Sequence, residues 1–457
     1  MEQISNLIAR FLKERGVDRV FSLCGGHIMP IWDHLHGLGI RIVDVRDERA
    51  AVHMAHAHSE LTGRFGVAMV TAGPGLTNAV TGIANAYVSR VPLLVLSGVP
   101  PRPQQGMGAL QAIPQADMVR LITRYARTVS SAEHVLRELD EAVAYAEGHG
   151  GEPGPAYLDF PTDVLRETIP ASMIDAMRFR ARETPVFSPD AESIGAAAAL
   201  LAKSKRPLVI SGRGAKSAAK SLFKFLEVFE CIYLDTAESR GLIPEDHPLF
   251  VPAMRGKAMR EADLIFTIGR TLDFQLAYGS KAVFPEAQFI RTGTTPSELR
   301  GNCRPEVEIF GSPAAVLDAL AEKLGEGIAA SDQGWLKEMQ TADRQSRQNL
   351  LNNLCTAPPG KDGAMHPYRL LGCVREKLER DAVVIADGGD FLSFARIALT
   401  GAVYLDCGPF GLTGSSSPII GISESCTGAE GFLISVIADL FADKVDFASY
   451  PESEAPE

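Results

Sequence analysis

The sequence has no apolar stretch long enough to cross a bilayer. Its strongest apolar run, residues 91–97, contains a proline and is only as long as a β-strand, whereas a membrane helix needs ~18–20 apolar residues. The first five residues show no basic cluster followed by an apolar one, so the sequence predicts no secretory signal. We therefore expect a cytoplasmic protein without a membrane partner.

Paired cysteines and basic blocks are also missing. The seven cysteines stand at positions 24, 231, 303, 355, 373, 407 and 426, and no two of them form a CxxC pair. This scatter is typical of reduced thiols and argues against a disulfide framework or a zinc site. Because 45 lysines and arginines face 56 acids, for a net charge of −11, nucleic acid is not an expected partner.

Strand-like and helix-like segments alternate along most of the chain. Helical patterns at 4–15 and 48–62 are interleaved with apolar runs at 20–23, 40–45 and 66–70. This alternation predicts an α/β fold with parallel sheets. It resumes after a proline-containing stretch at 184–189, and again after about residue 366. We therefore predict two complete parallel-sheet α/β domains, 1–165 and 190–325, and an incomplete third domain at 366–457.

Glu48 follows the strand-like run 40–45 and begins the next helical pattern. Parallel sheets place their sites at the carboxyl ends of their strands, so Glu48 is a candidate site residue. The alternative is structural, because an acid in the first turn of a helix also interacts favourably with the helix dipole. The local sequence alone favours that structural role.

Two further segments follow strand-like runs. The turn Gly73-Pro74-Gly75 leads into a helical pattern that contains Asn78, a geometry that lets the backbone approach an anion or a planar ring closely. It is neither GxGxxG nor a P-loop, so an ordinary strand-to-helix turn is an equal alternative. His27 follows a Gly-Gly turn, where the local sequence alone favours a capping or core histidine.

Taken together, these motifs resemble a known family. Residues 46–55, 70–78, 84–86, 108–115 and 154–163 resemble the pyrimidine-binding domain of thiamine-diphosphate enzymes of the acetolactate synthase type. Residues 206–214 and 262–270 resemble that family's central domain, and 386–391 and 408–414 its diphosphate-binding domain. Gly25-Gly26-His27, Leu110-Gln111 and 387–391 are most similar to the 2-hydroxyacyl-CoA lyase and benzaldehyde lyase branch.

The resemblance implies roles for individual residues. Glu48 would hydrogen-bond the aminopyrimidine ring of thiamine diphosphate, while His27 and Gln111 would face the reacting carbonyl. The implied cofactor contacts are Gly73, Pro74, Gly75, Asn78, Gly388, Asp390 and Phe391. The implied activity is a lyase or carboligase that uses thiamine diphosphate and Mg²⁺. Its substrate would be a 2-oxo acid, an aldehyde or a 2-hydroxyacyl-CoA, and its assembly a homodimer or homotetramer.

Two departures from the family leave an alternative open. The family's GDG signature, which anchors magnesium and diphosphate, is missing, and the likeness ends after 411–414. The metal ligands are therefore unknown, and a non-catalytic truncated relative that folds and dimerises is the alternative function. In the central domain, Arg291 and the residues up to 296 replace the acidic signature of flavin-binding members, which argues against FAD. An ordinary Rossmann oxidoreductase is disfavoured because GxGxxG is absent.

Overall fold

Parallel β-sheets organise the chain, as the sequence predicts. The computed structural model describes residues 1–149, 151–325, 332–354, 356–360, 363–379, 383–386, 390–399, 403–406 and 435–436. Its sheets confirm the α/β fold class. The three parallel sheets fall inside the three predicted domain ranges, whose boundaries stay a prediction, whereas the short strand at Thr168–Ile169 lies beyond residue 165.

The N-terminal sheet has six parallel strands in the order β3-β2-β4-β5-β7-β6. The strands of this part of the chain are β1 (Glu2–Gln3), β2 (Arg19–Ser22), β3 (Arg41–Asp44), β4 (Gly66–Val70), β5 (Leu93–Val99), β6 (Tyr125–Thr128), β7 (Pro155–Pro161) and β8 (Thr168–Ile169). The short strands β1 and β8 pair antiparallel with each other in a separate sheet. The helices are α1 (Ile4–Glu14), α2 (Met29–Leu35), α3 (Glu48–Thr62), α4 (Pro74–Ser89), α5 (Gln115–Val119), α6 (Val135–Ala146) and α7 (Thr162–Arg166).

The helices cover both faces of this sheet. Along β5, Leu94 and Leu96 pack into the core formed with α1, α2, α6 and α7, whereas Leu93 and Val95 pack into the core formed with α3, α4 and α5. Successive side chains of a strand point to opposite faces, so this alternation assigns the two groups of helices to opposite sides. The strand is fully buried, which explains why its sequence is continuously apolar.

The central sheet has five parallel strands in the order β10-β9-β11-β12-β13. These strands are β9 (Pro207–Ser211), β10 (Ile232–Leu234), β11 (Leu264–Ile268), β12 (Gln288–Gly293) and β13 (Val307–Phe310). The helices are α8 (Ala191–Lys203), α9 (Ala219–Val228), α10 (Arg255–Glu261), α11 (Pro296–Leu299) and α12 (Pro313–Leu324). A long helix, α13 (Gln333–Leu354), follows.

The third part of the chain contributes α14 (Pro367–Lys377), β14 (Val383–Ala386), α15 (Asp390–Ala398), β15 (Val403–Asp406) and β16 (Ser435–Val436). Its three described strands form a parallel sheet in the order β15-β14-β16. In the described parts of the chain, no helix is long and apolar enough to span a membrane.

A buried cluster of charges joins the N-terminal sheet to the central one. Glu60, at the end of α3, pairs with Arg213 at 2.6 Å and with Lys216. Nearby, Arg90 pairs with Glu298 at 3.2 Å. Because Glu60 and Arg90 come from α3 and the end of α4, and their partners from the segments that follow β9 and β12, the cluster fixes how the carboxyl edge of the central sheet meets these two helices.

Candidate functional site

Glu48 is the first residue of α3, at the carboxyl end of β3. Asp47 caps this helix by accepting a hydrogen bond from the Arg49 backbone N–H, so the chain turns abruptly and buries Glu48, which is only 7% exposed. One carboxylate oxygen, Oε2, accepts a hydrogen bond of 3.0 Å from the Nδ2 atom of Asn78. The two residues are therefore brought together, as the resemblance implies.

The Gly73-Pro74-Gly75 turn connects β4 to α4. Gly73 has φ +63°, and a Cβ atom there would lie 2.8 Å from Cβ of Gln111. A Cβ atom on Gly75 would lie 2.9 Å from the Thr71 side chain and 3.5 Å from Oε1 of Glu48. The two glycines therefore let the turn pack closely against Gln111 and Thr71, beside Glu48.

Helix α4 begins at Pro74, inside the glycine turn that the sequence places before the helical pattern. Proline is well tolerated at the first position of a helix, because its φ suits the helix and its missing N–H would have no partner there. The turn between β4 and α4 is consequently shorter than the sequence indicates.

His27 and Gln111 form a hydrogen-bonded pair at the same edge of the sheet. His27 follows β2 and packs against Gly98, where a Cβ atom would lie 2.5 Å from Cβ of His27. Burial lowers the pKa of His27, although its hydrogen bond with Gln111 acts in the opposite direction. His27 is therefore neutral at neutral pH and can accept a proton. Gln111 has φ +64°, a conformation that is uncommon outside glycine.

Sequence reasoning did not single out Gln115, a buried residue that holds the turn in place. Its Oε1 atom accepts a hydrogen bond of 2.5 Å from the Gly73 backbone N–H, and its Nε2 atom donates to the Tyr157 hydroxyl at 2.8 Å. That hydroxyl in turn donates to Asp159 at 2.9 Å. Burial raises the pKa of Asp159 to about 6. A glutamine at the end of the 108–115 motif was the only available signal.

A cleft of about 540 Å³ opens beside His27. It lies where β2, β5 and β7 end, and its walls include His27, Pro101, Thr162, Asp163, Arg166 and Glu167. The cleft is on the side of the sheet covered by α2 and α7, whereas Glu48 and Asn78 belong to α3 and α4 on the opposite side. His27 therefore stands between the Glu48 region and the cleft.

The remaining candidate residues belong to the third part of the chain. Asp390 and Phe391 are the first two residues of α15, after β14, and Gly388 lies outside the described residues. Their predicted contacts stay a prediction. Across the residues that the structure describes, no group of three or more His, Cys, Asp or Glu side chains could hold a metal ion.

The amino-acid sequence is similar to known proteins over most of its length. Residues 2–118 match the N-terminal TPP binding domain of thiamine pyrophosphate enzymes, and residues 194–320 match their central domain. The chain is 34% identical over 418 residues to the acetolactate synthase large subunit IlvG of Mycobacterium tuberculosis, covering 90% of this chain and 73% of that protein. It is 31% identical over 426 residues to human 2-hydroxyacyl-CoA lyase 1, covering 90% of this chain and 72% of the relative.

Proposed function

The chain belongs to the thiamine pyrophosphate enzyme family, and on that premise we propose that it is a lyase or carboligase. It would cleave or form a C–C bond next to a carbonyl group. The observation that carries this proposal is the buried Glu48 carboxylate, which is hydrogen-bonded to Asn78 beside a glycine turn that reaches Gln111.

The family's cofactor is thiamine diphosphate with Mg²⁺. The residues at the end of β3 and β4 fit its pyrimidine half, because a buried carboxylate stands there beside a turn whose two glycines carry no side chains. Glu48 would hold the ring through a hydrogen bond to a ring nitrogen, with Gly73, Pro74, Gly75 and Asn78 packed around it. When bound, the cofactor supplies an electron sink for the pair of electrons released from the C–C bond.

The proposed diphosphate half belongs to the third part of the chain. Parallel sheets place ligands beyond the carboxyl ends of their strands, and α15 begins at Asp390 just after β14. Gly388, Asp390 and Phe391 are the residues we propose there. We propose no metal ligands, because the sequence lacks GDG.

His27 and Gln111 would act on the substrate. The neutral imidazole of His27 can take up or deliver a proton at the reacting oxygen, and its hydrogen bond with Gln111 orients it. A positioned histidine of this kind typically contributes about 10²–10⁴-fold to the rate. This pair favours the lyase branch over acetolactate synthesis. The substrate would be a small 2-oxo acid, an aldehyde or a 2-hydroxyacyl-CoA.

A flavin is not part of this proposal. At the carboxyl edge of the central sheet, a Cβ atom on Gly212 would lie 2.6 Å from the Gly269 carbonyl oxygen, and one on Gly293 would lie 2.4 Å from Glu298. Arg291, where flavin-binding members show an acidic signature, is fully buried and donates to the carbonyls of Gly301 and Cys303. Side chains of the chain itself occupy this edge, which supports the expectation that FAD is absent.

We further propose a cytoplasmic homodimer or homotetramer that does not act on nucleic acid or membranes. Its contact surface would include the segment around Gln111, where Met107, Leu110 and Leu121 are 77%, 77% and 85% exposed. Large apolar side chains exposed together commonly mark an interface. Light scattering should show an oligomer for the wild-type protein and a shift to monomer for Leu121→Glu. The matched change Val186→Glu, at a residue 76% exposed in the linker, should leave the mass unchanged.

Calorimetric titration with thiamine diphosphate and Mg²⁺ tests the function, followed by turnover assays with pyruvate and with 2-hydroxyoctanoyl-CoA. We expect saturable cofactor binding and turnover of at least one substrate. Absence of cofactor binding in a folded protein would contradict the proposal and support the non-catalytic alternative.

A further inference from the structure

Charged side chains line the cleft beside His27. Its two acids are paired with an arginine, whereas its own arginine, Arg166, is not paired with any residue that the structure describes. Asp163 accepts two hydrogen bonds from Arg102, at 3.0 Å from its backbone N–H and at 2.7 Å from Nε. Glu167 pairs with the same guanidinium group. The third nitrogen of that group donates to the Ser130 carbonyl oxygen at 2.9 Å. Arg102 therefore pairs with both acids, and each nitrogen of its guanidinium group already donates to a group of the protein.

Arg166 is different. It is the last residue of α7, it lines the cleft, and its side chain is exposed. Within the described ranges it has no hydrogen-bond or ion-pair partner. His27, which also lines the cleft, carries no charge at neutral pH because burial lowers its pKa. Among the described cleft residues, Arg166 therefore supplies the cationic group that is available to a ligand.

We propose that Arg166 is a specificity-determining residue that binds an anionic group of the substrate remote from the reacting carbonyl. This rests on the proposed function, since His27 marks where the carbonyl would lie. Arginine suits the role because its planar guanidinium can donate two parallel hydrogen bonds to a carboxylate or a phosphate.

The size of the cleft indicates a long substrate. A three-carbon 2-oxo acid has its carboxylate directly beside the reacting carbonyl and would fill only a small part of the cleft. A volume of about 540 Å³ is within the range of pockets that enclose drug-sized molecules. The substrate class is therefore an extended carbonyl or 2-hydroxyacyl compound with a phosphate or carboxylate at its far end.

Binding measurements without thiamine diphosphate test this inference independently of turnover. The phosphate arm compares 2-hydroxyoctanoyl-CoA with the N-acetylcysteamine thioester of the same acid, which lacks the phosphates. The carboxylate arm compares 2-oxoglutarate with 2-oxopentanoate, which lacks the remote carboxylate. The variants are Arg166→Gln, Arg166→Lys and, as a control, Arg260→Gln, which changes another exposed arginine on α10.

In at least one arm, the wild-type protein should bind the anionic compound at least about tenfold more tightly than its neutral-ended counterpart, because hydrogen bonds to charged groups are strong. Arg166→Gln should remove this preference, Arg166→Lys should keep part of it, and Arg260→Gln should keep all of it. The arm that responds identifies the anion as phosphate or carboxylate. Where turnover is measurable, Arg166→Gln should raise KM for that substrate and leave kcat within about twofold.

Equal binding of the anionic compounds by wild type and Arg166→Gln would overturn the inference, as would a wild-type protein that shows no preference in either arm. Both results would stand whether or not the chain turns over any substrate. A failure of the proposed function would instead appear as absent cofactor binding, with the preference for anionic compounds intact.

Discussion

The Asn78 side-chain amide donates a hydrogen bond to the Glu48 carboxylate across 3.0 Å, although 30 positions separate the two residues. The contact joins the first turn of α3 to the second turn of α4 over the carboxyl edge of the sheet. It fixes one oxygen of Glu48 and leaves the other, Oε1, facing Gly75. A carboxylate held in this way is oriented before any ligand arrives, which reduces the cost of forming the productive geometry.

Replacing Glu48 with glutamine should abolish activity without unfolding the protein. Glutamine keeps the size and an acceptor for Asn78 but cannot ionise, so we expect turnover to fall at least about 10²-fold. The loss of one charge from the first turn of a helix should cost less than about 1 kcal/mol of unfolding free energy. Turnover and melting temperature are measured together. Glu192→Gln, an exposed acid in the first turn of α8, is the control, and an active Glu48→Gln would show that the proposed role is wrong.

Replacing Gly73 with alanine should disturb Gln111. The φ of +63° and the 2.8 Å approach to Cβ of Gln111 both act against a side chain. Gly106→Ala isolates the backbone effect, because Gly106 has φ +76° and a Cβ atom there would meet no other atom within 4 Å. Each variant should lose about 1–2 kcal/mol from the positive φ. Gly73→Ala should lose about 1–3 kcal/mol more from the clash, together with at least about tenfold in turnover. Stability is measured by denaturant titration and turnover by assay. If Gly73→Ala and Gly106→Ala had equal effects in both, the close approach of Gly73 to Gln111 would be contradicted.

Asp159 should make stability depend on pH. Its pKa is raised by burial from 3.8 to about 6 in the folded protein, so its favourable contribution is complete below pH 3.8 and is lost as pH rises through about 6. Asp159→Asn does not titrate and keeps an acceptor for Tyr157. The unfolding free energy of the variant should therefore rise relative to wild type between pH 4 and pH 6.5, by on the order of 1–3 kcal/mol. Urea titrations at several pH values check this. Asp246→Asn, at an exposed aspartate, should not show the trend.

His27 should control the acid limb of the activity profile. Because burial places its pKa below the usual 6.5, the neutral form persists to lower pH, and kcat/KM should fall only as pH drops through that lowered value. His27→Gln should reduce kcat/KM at least about 10²-fold and remove this limb. His36→Gln, at an exposed histidine nearby, should retain the profile of the wild type. If kcat/KM of His27→Gln fell at low pH as it does in the wild type, the fall would have to come from an ionisable group other than His27.

The sequence predicts local structure well where its signals are local. The bounds of α3 follow from Asp47, which caps its start, and from Gly63, which ends it at φ +69°. Helix α13 was not foreseen, because few of its residues are apolar and its buried side chains, such as Trp335 and Met339, are widely spaced. Its position depends on packing beside the central sheet, which no local pattern records.

The candidate site also combines residues that sequence motifs indicate with residues that only the packing of distant segments brings in. The structure brings Glu48 beside Asn78 and His27 beside Gln111, whereas the roles that the resemblance implies for them stay predictions. Gln115 was missed as a support for Gly73, because that contact depends on how two segments 42 residues apart pack together. The cleft at Arg166 was missed for the same reason, since its walls come from the ends of three strands.

The apolar segment that carries Gln111 has a consequence for protein engineering. Leu110 is 77% exposed and is the natural target for a charged substitution meant to improve solubility. Its neighbour Gln111, however, holds an uncommon backbone conformation and packs against Gly73. Changes chosen to make the surface of this segment more hydrophilic will therefore also alter the site, and they are better placed at Val186, which is 76% exposed and lies outside the proposed contact surface.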